Sequence, residues 1–380
     1  MKTTPLAQSL ALDSQLRLPG SAGRLLKQIR DIEYVAPLFR DAGLIKAVDR
    51  PSVVNLAVSG IASHSCIHRA LGGFIYASAA VRTDLTIQDN KISTSGTDSV
   101  SELDDIDFEA QRKRLDLVEM RSGYALVKRL LQQGIPSKLI LIDTPLFIDR
   151  EMIPLRRNVR HWAEYEKTRD AIEGFWQDYR KALFPWNKEG PVLASLLAER
   201  FSAIVSIARQ DLRTTEGRKH ILTSDGFTPD SAALPEGLDE RLAGIGDTRF
   251  INGLLGNFTR TIAFRMTENR SRMEPASEVG QGVIGFHFRS ARTGQIKMTQ
   301  LAGEETDWNS TLLDTVASRL MILDLQSQKK AMLLPQLLSR QQLHILERFT
   351  AYYRQGLNEA LRNNDIESTW LSGLDEGFES

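Results

Sequence analysis

Two carboxylates in this chain stand where acids are costly. At about 100° per residue, Leu115, Val118, Ser122, Ala125, Leu126 and Leu130 form one helical stripe, and Glu119 lies inside it. Asp143 follows Leu139-Ile140-Leu141-Ile142, an aliphatic run without alternation, the pattern of a strand covered on both faces. Thr144-Pro145 cannot continue a central strand, so Asp143 sits at a C-terminal strand end, where mixed α/β sheets place functional groups. A buried carboxylate without a partner is neutralised or finds a cation. Glu119 therefore wants a metal ion shared with Asp143, or an arginine. The alternatives are a structural ion pair with Arg121, Arg129 or a more distant base, or a helix rotated so that Glu119 only borders the core.

The elements that position these acids run β-β-β-α-β. Residues 53–59, 73–81 and 84–93 read as strands, the last with Asp89-Asn90 as its turn. An acidic loop (Glu102, Asp104, Asp105, Asp107) leads into a helix over about 108–133, ended by Gly134 and Pro136, and then the strand that stops at Asp143. Hairpin strands followed by a crossover helix that returns a strand beside the first is the core order of ribonuclease-H-like folds. The expected class is α/β, a ribonuclease-H-like mixed sheet with helical N-terminal, middle and C-terminal additions.

Around this core, residues 1–22 read as a loose arm punctuated by Pro5, Pro19 and Gly20, and 24–47 as a helical layer. The boundaries expected are an arm and helical layer over 1–50, the main domain over 51–350 with a helical insertion at about 154–190, and a C-terminal helix and tail over 351–380. The insertion interleaves Arg156, Arg157, Arg160 and His161 with Trp162, Tyr165, Trp176 and Tyr179. That mixture suits phosphate contact and base stacking, or an amphipathic helix that packs its aromatics on the sheet. Residues 214–246 are rich in Gly, Pro, Ser and Asp and read as a loop or lid.

Composition narrows the class without naming a ligand. The chain has 380 residues, 42% of them hydrophobic, with 48 basic and 48 acidic side chains, so no global field draws it to nucleic acid or membrane. One cysteine, Cys66, excludes an internal disulfide and every multi-cysteine zinc pattern. The first residues hold no apolar signal core, and no apolar run approaches the ~20 residues of a membrane span, so a soluble cytoplasmic protein is expected. His64 and His68, with Cys66 between them, offer ligands for Mn²⁺ or Zn²⁺, or form a solvated loop pair.

These patterns, in this order, resemble the NurA family of nucleases. Ala57-Val58-Ser59-Gly60 before Gly72-Gly73-Phe74-Ile75-Tyr76 resembles that family's first strand, Arg112-Lys113-Arg114-Leu115 through Glu119 its helix, and Asp143-Thr144-Pro145-Leu146 its next strand end. Residues 206–209, ending in Arg209, resemble a later Ser-Lys-like strand end, and residues 334–341 resemble a C-terminal Tyr-Pro motif. The similarity spans about residues 50–350. It implies a ribonuclease-H-like metal-dependent DNA nuclease, with Mg²⁺ or Mn²⁺ on Glu119 and Asp143, Ser59 in the same pocket, and DNA along Arg156, Arg157, Arg160 and Arg209. It also implies a homodimer working with a HerA/FtsK-type hexameric ATPase. Ser59 stands where the family has an acid, and Gln341 where it has His or Asp. A weakened nuclease is therefore one reading; a catalytically degenerate DNA-binding or adaptor subunit is the other.

Overall fold

The computed structural model describes residues 5–70, 73–148, 152–183, 190–197, 214, 218, 221–227, 238–242, 244–265, 283–303, 305–327 and 332–364. Its strands are β1 (Ile45–Ala47), β2 (Leu56–Ala70), β3 (Gly73–Gln88), β4 (Lys91–Ile106), β5 (Leu139–Ile142), β6 (Val192–Leu197), β7 (Thr259–Thr261), β8 (Phe264–Arg265), β9 (Val283–Arg289) and β10 (Lys297–Ala302). The helices are α1 (Pro5–Asp41), α2 (Gln111–Gln132), α3 (Val159–Leu183), α4 (Leu238–Leu242), α5 (Asp247–Leu254), α6 (Ser310–Leu325), α7 (Leu334–Gln342) and α8 (Leu346–Arg362).

Among the described residues, nine strands follow one path, β1-β7-β9-β10-β6-β5-β2-β3-β4, and β8 pairs β9 beside it. Within it, β2 to β6 carry the ribonuclease-H-like arrangement. β2, β3 and β4 make antiparallel hairpins, then β5 lies parallel to β2 and β6 parallel to β5. The fold is a mixed α/β sheet covered on both faces. Ile61, Ile140, Ile142 and Leu193 pack with buried residues of α2 and α3, among them Leu126, Tyr165 and Trp176. On the opposite face Val58, Leu139, Leu141 and Leu196 pack under α6 with Leu320 and Leu323. Burial of Leu139–Ile142 from both sides is why that run is aliphatic throughout.

The hairpin strands are longer than their local propensity suggests. Asp89 (φ 47°) and Asn90 (φ 64°) form the tight turn expected between β3 and β4. β4 then continues to Ile106, so Glu102, Asp104 and Asp105 belong to an edge strand and not to a loop. Charged side chains are tolerated there because an edge strand faces water. β2 likewise runs past Ser59 to Ala70. Its small residues allow close packing: a Cβ on Gly60 would come within 2.5 Å of the Gln336 backbone nitrogen in α7.

The N-terminal segment is helical from Pro5, although Pro19 and Pro37 lie inside α1. A proline removes one hydrogen bond and bends a helix, and the Leu, Ala, Gln and Arg around it still favour helix. Residues 45–47, expected to end that helical layer, instead form β1 at the sheet's edge, paired with β7. In α3, Tyr165 and Trp176 are buried in the core, so the aromatic residues of this stretch serve packing.

Candidate acidic site at the ends of the parallel strands

The register of β2 and β5 decides what stands beside Asp143. Val58 pairs with Leu139, Ser59 with Ile140 and Gly60 with Leu141. Two residues further, Asp143 draws level with Ala62 and Ser63. The Ser63 backbone N–H donates to Asp143 Oδ2 at 2.9 Å, and its hydroxyl donates to Oδ1 at 2.9 Å. Side chains alternate along a strand, so Ser59, Ile61, Ser63 and Ser65 share the face that α2 covers. Ser65 stands near enough to Glu119 of α2 to favour its charged form, while its hydroxyl donates to Ser78 Oγ at 3.0 Å. Neighbouring serines on one strand thus stand beside the two acids.

Arg340 closes the site from α7. It donates through Nη1 to the Ser63 carbonyl at 2.5 Å, and its Nη2 lies 3.1 Å from His64 Nδ1. Its positive charge acts on both acids. Even so, burial pushes Glu119 up to about 7, with the charges of Asp143 and Asp116 adding to it and Ser65 and Arg340 opposing it. Burial also pushes Asp143 up to about 6, against the Ser63 hydrogen bonds and Arg340. Two partly buried carboxylates that feel each other are short of positive charge.

The arginines near Glu119 in sequence do not relieve it. Arg121 pairs with Glu164 and, at 3.4 Å, with Glu102, while Arg129 lies 3.5 Å from Asp98. Among the described residues, no Lys or Arg ion-pairs with Glu119 or Asp143.

Ser59 lies elsewhere. Its hydroxyl donates to Asp84 Oδ1 at 2.6 Å, in a buried cluster where Arg82 Nε is 3.2 Å from Asp84 Oδ2. At ~3.3 Å per residue, Ser59 is ~13 Å down β2 from Ser63. Ser63 is the first-strand residue that faces Asp143. Gln341 is exposed, whereas its neighbour Arg340 points inward. Asp49 is exposed between β1 and β2, with its carbonyl accepting from Ser318. His64, Cys66 and His68 lie within β2 and not in a loop. They occupy the face opposite the acids' serines, and burial raises the Cys66 thiol and lowers His64. Arg156 and Arg157 are exposed on the turn before α3, and Arg160 is ion-paired with Asp107. Arg209 lies outside the described residues.

Strand continuity was the missed signal for Ser63 and Ser65: extending β2 by its alternation brings both onto the face of Ser59. Arg340 had no local signal. Its role depends on α7 crossing a strand more than two hundred residues earlier in the chain.

Among the described residues, no three His, Cys, Asp or Glu side chains are arranged to hold a metal ion. Asp143 and Glu119 alone suit one hydrated divalent cation and not a pair, because a hard ion with water completing its shell needs few protein oxygens. Their charge-poor surroundings fit such an ion.

No protein-family model matches the sequence, and no curated protein matches it. Among solved structures, the chain is similar to the NurA nuclease from Sulfolobus solfataricus, with a TM-score of 0.53 at 12% identity, covering 96% of this chain and 99% of that one. This chain has the NurA fold. Weaker likenesses run to a NurA crystallised with manganese (TM-score 0.42, 11% identity, 92% and 99% covered). Another is endonuclease V from Bacillus subtilis (TM-score 0.35, 13% identity, 84% and 93% covered). At such identities the NurA likeness speaks for the fold, and the chemistry rests on this chain's own side chains. Among the described residues, no helix is long and apolar enough to cross a membrane.

Proposed function

We propose that this NurA-fold protein is a DNA-processing nuclease subunit with a weakened centre, built on Asp143 and Glu119 and using one Mg²⁺ or Mn²⁺. The observation that carries the reading is the pair itself: two partly buried acids, each with a raised pKa, Asp143 at the C-terminal end of β5 and Glu119 on α2, without an ion-pairing base among the described residues. A divalent cation bound there supplies Lewis-acid polarisation of a phosphoryl oxygen and a water of lowered pKa. Asp143 and Glu119 hold the charge, Ser63 fixes the Asp143 carboxylate plane, and Arg340 favours an anionic substrate. The exposed Arg156 and Arg157 offer contacts to a DNA backbone, with Arg160 and Arg209 as further candidates.

The weakness follows from Ser63. A hydroxyl, and not a third carboxylate, stands beside Asp143, and two-metal phosphodiester hydrolysis needs more acid ligands than two. A homodimer and a HerA/FtsK-type hexameric ATPase partner, both in the cytoplasm, belong to the same reading. Exposed Ile345, Phe349 and Tyr352, in and just before α8, support a protein contact there. A second reading, a degenerate DNA-binding or adaptor subunit, is favoured by the Arg340 guanidinium already placed near both acids.

Cleavage of labelled single- and double-stranded DNA with Mg²⁺ or Mn²⁺, with and without the ATPase, separates the two. Weak metal-dependent cleavage lost in both Glu119→Gln and Asp143→Asn supports the nuclease. Cleavage that survives both changes overturns the site. DNA binding without any cleavage selects the second reading.

A further inference from the structure

Arg340 is held at two points, both on β2. Its Nη1 donates to the Ser63 carbonyl at 2.5 Å, and its Nη2 lies 3.1 Å from Nδ1 of His64, the next residue along the strand. The same Ser63 grips Asp143 through its N–H and its hydroxyl, so one strand residue stands between the guanidinium and the carboxylate. A guanidinium is a rigid planar fork of donors. Contacts through two of its nitrogens fix both where its charge lies and which way its plane turns.

The second contact also fixes the state of the imidazole. Arginine can only donate, so His64 Nδ1 carries a lone pair and the ring is neutral with its proton on Nε2. The surroundings keep it neutral: burial, then Arg340 and His344, disfavour the imidazolium, and Glu347 of α8 opposes them. Alternation along β2 puts His64 on the face of Ala62 and Cys66, which pack with Leu343 and Leu346 between α7 and α8. The ring therefore meets Arg340 from the side of the strand opposite to the Ser63 hydroxyl.

Arg340 has another carboxylate to turn to. Glu347 is exposed, acts on His64 from α8, and makes no ion pair among the described residues. A long, flexible side chain released from β2 is free to swing toward that acid or into water, and its charge then leaves Asp143 and Glu119, on which it now acts. The Ser63 carbonyl alone leaves the guanidinium free to pivot about one bond. The His64 ring removes that freedom.

We propose that His64 is a positioning residue: its Nδ1 holds the Arg340 guanidinium against β2 and so sets how much of that positive charge reaches Asp143 and Glu119. The use of those acids as a metal centre rests on the function proposed above; the hold of His64 on Arg340 does not.

Substitutions separate the acceptor from the ring. His64→Asn supplies an amide oxygen as acceptor, and His64→Leu keeps bulk without one. In ¹⁵N spectra of the arginine side chains, with Arg340 assigned by its loss in Arg340→Gln, guanidinium rotation is expected to be slow in the wild type and in His64→Asn. In His64→Leu it becomes fast while the unfolding midpoint shows the chain still folded; His64→Ala gives the same comparison if the leucine is not accommodated. Calorimetry with Mn²⁺ is expected to show tighter binding in His64→Leu, by no more than the about tenfold expected of Arg340→Gln, and no further change when the two substitutions are combined. A guanidinium that rotates freely in the wild type, or stays restrained in both His64→Leu and His64→Ala, overturns the proposal. Additive effects of the two substitutions on Mn²⁺ overturn it as well, because the ring then acts on the acids by a route other than Arg340. If the guanidinium is released as expected but the wild type and its variants bind no Mn²⁺, the positioning role stands and the metal reading fails.

Discussion

Ser63 grips Asp143 twice, through its backbone N–H and its hydroxyl, each at 2.9 Å. Ser59, on the same face of the same strand, donates instead to Asp84. Carboxylates introduced at the two positions should therefore behave differently. Ser63→Asp sets a third acid beside Asp143 and Glu119, and Mn²⁺ affinity measured by calorimetry should rise at least about tenfold, with any nuclease activity increasing. Ser59→Asp puts like charge against buried Asp84 and should cost about 3 kcal/mol or more in a denaturation experiment, with no gain in metal binding. Equal Mn²⁺ affinity in both variants would count against the assignment of Ser63.

The raised acids make a signed prediction about pH. Glu119 moves from an ordinary 4.5 to about 7 and Asp143 from 3.8 to about 6, so the folded state holds protons more tightly than the unfolded one. Stability from these groups is fully present below the ordinary carboxylate values and declines as pH rises through the folded values. Without divalent metal, melting temperature should fall between about pH 4 and pH 7 by an amount these groups explain. Glu119→Gln should remove much of the decline and stabilise the protein at neutral pH by on the order of 2 kcal/mol. Mn²⁺ should do the same for the wild type. A flat profile in metal-free buffer would refute the shifts.

Arg340 competes with any metal for the same negative charge. Arg340→Gln should tighten Mn²⁺ binding about tenfold while weakening affinity for single-stranded DNA. It should also raise Glu119 further, visible as a higher midpoint in a carboxyl-carbon NMR titration. Weaker Mn²⁺ binding in this variant would mean that Arg340 organises the acids and does not compete with the ion.

α7 can reach the site only because position 60 lacks a side chain. A Cβ there would lie 2.5 Å from Gln336 N and 2.6 Å from the Pro335 carbonyl carbon, both backbone atoms that cannot turn aside. Gly60→Ala should destabilise the protein by about 2–3 kcal/mol and lift α7 from β2. Arg340 would then lose its hold on Ser63, so the Mn²⁺ affinity of this variant should approach that of Arg340→Gln. Unchanged stability would show that α7 adjusts at little cost.

The sequence by itself determined what is local. Periodicity puts Glu119 near the apolar side of α2, although the helix is rotated so that Leu117, Met120, Tyr124 and Val127 are its deepest residues and Glu119 is half-buried at their border; the aliphatic run followed by Thr144-Pro145 puts Asp143 at a strand exit, and the β-β-β-α-β order specifies the sheet. Each of these depends on residues a few positions apart. The length of β2 was not legible, because Gly60-Ile61-Ala62-Ser63 has weak strand propensity and is held extended by β3, β5 and α7, which come later in the chain. That hidden length separates Ser59 from Ser63. Strand register has a period of two and is fixed by the partner strand, so only tertiary structure could decide which serine meets Asp143. The cation was hidden for the same reason: Arg340 and Ser63 are 277 residues apart, and the packing of α7 on the sheet is what brings them together.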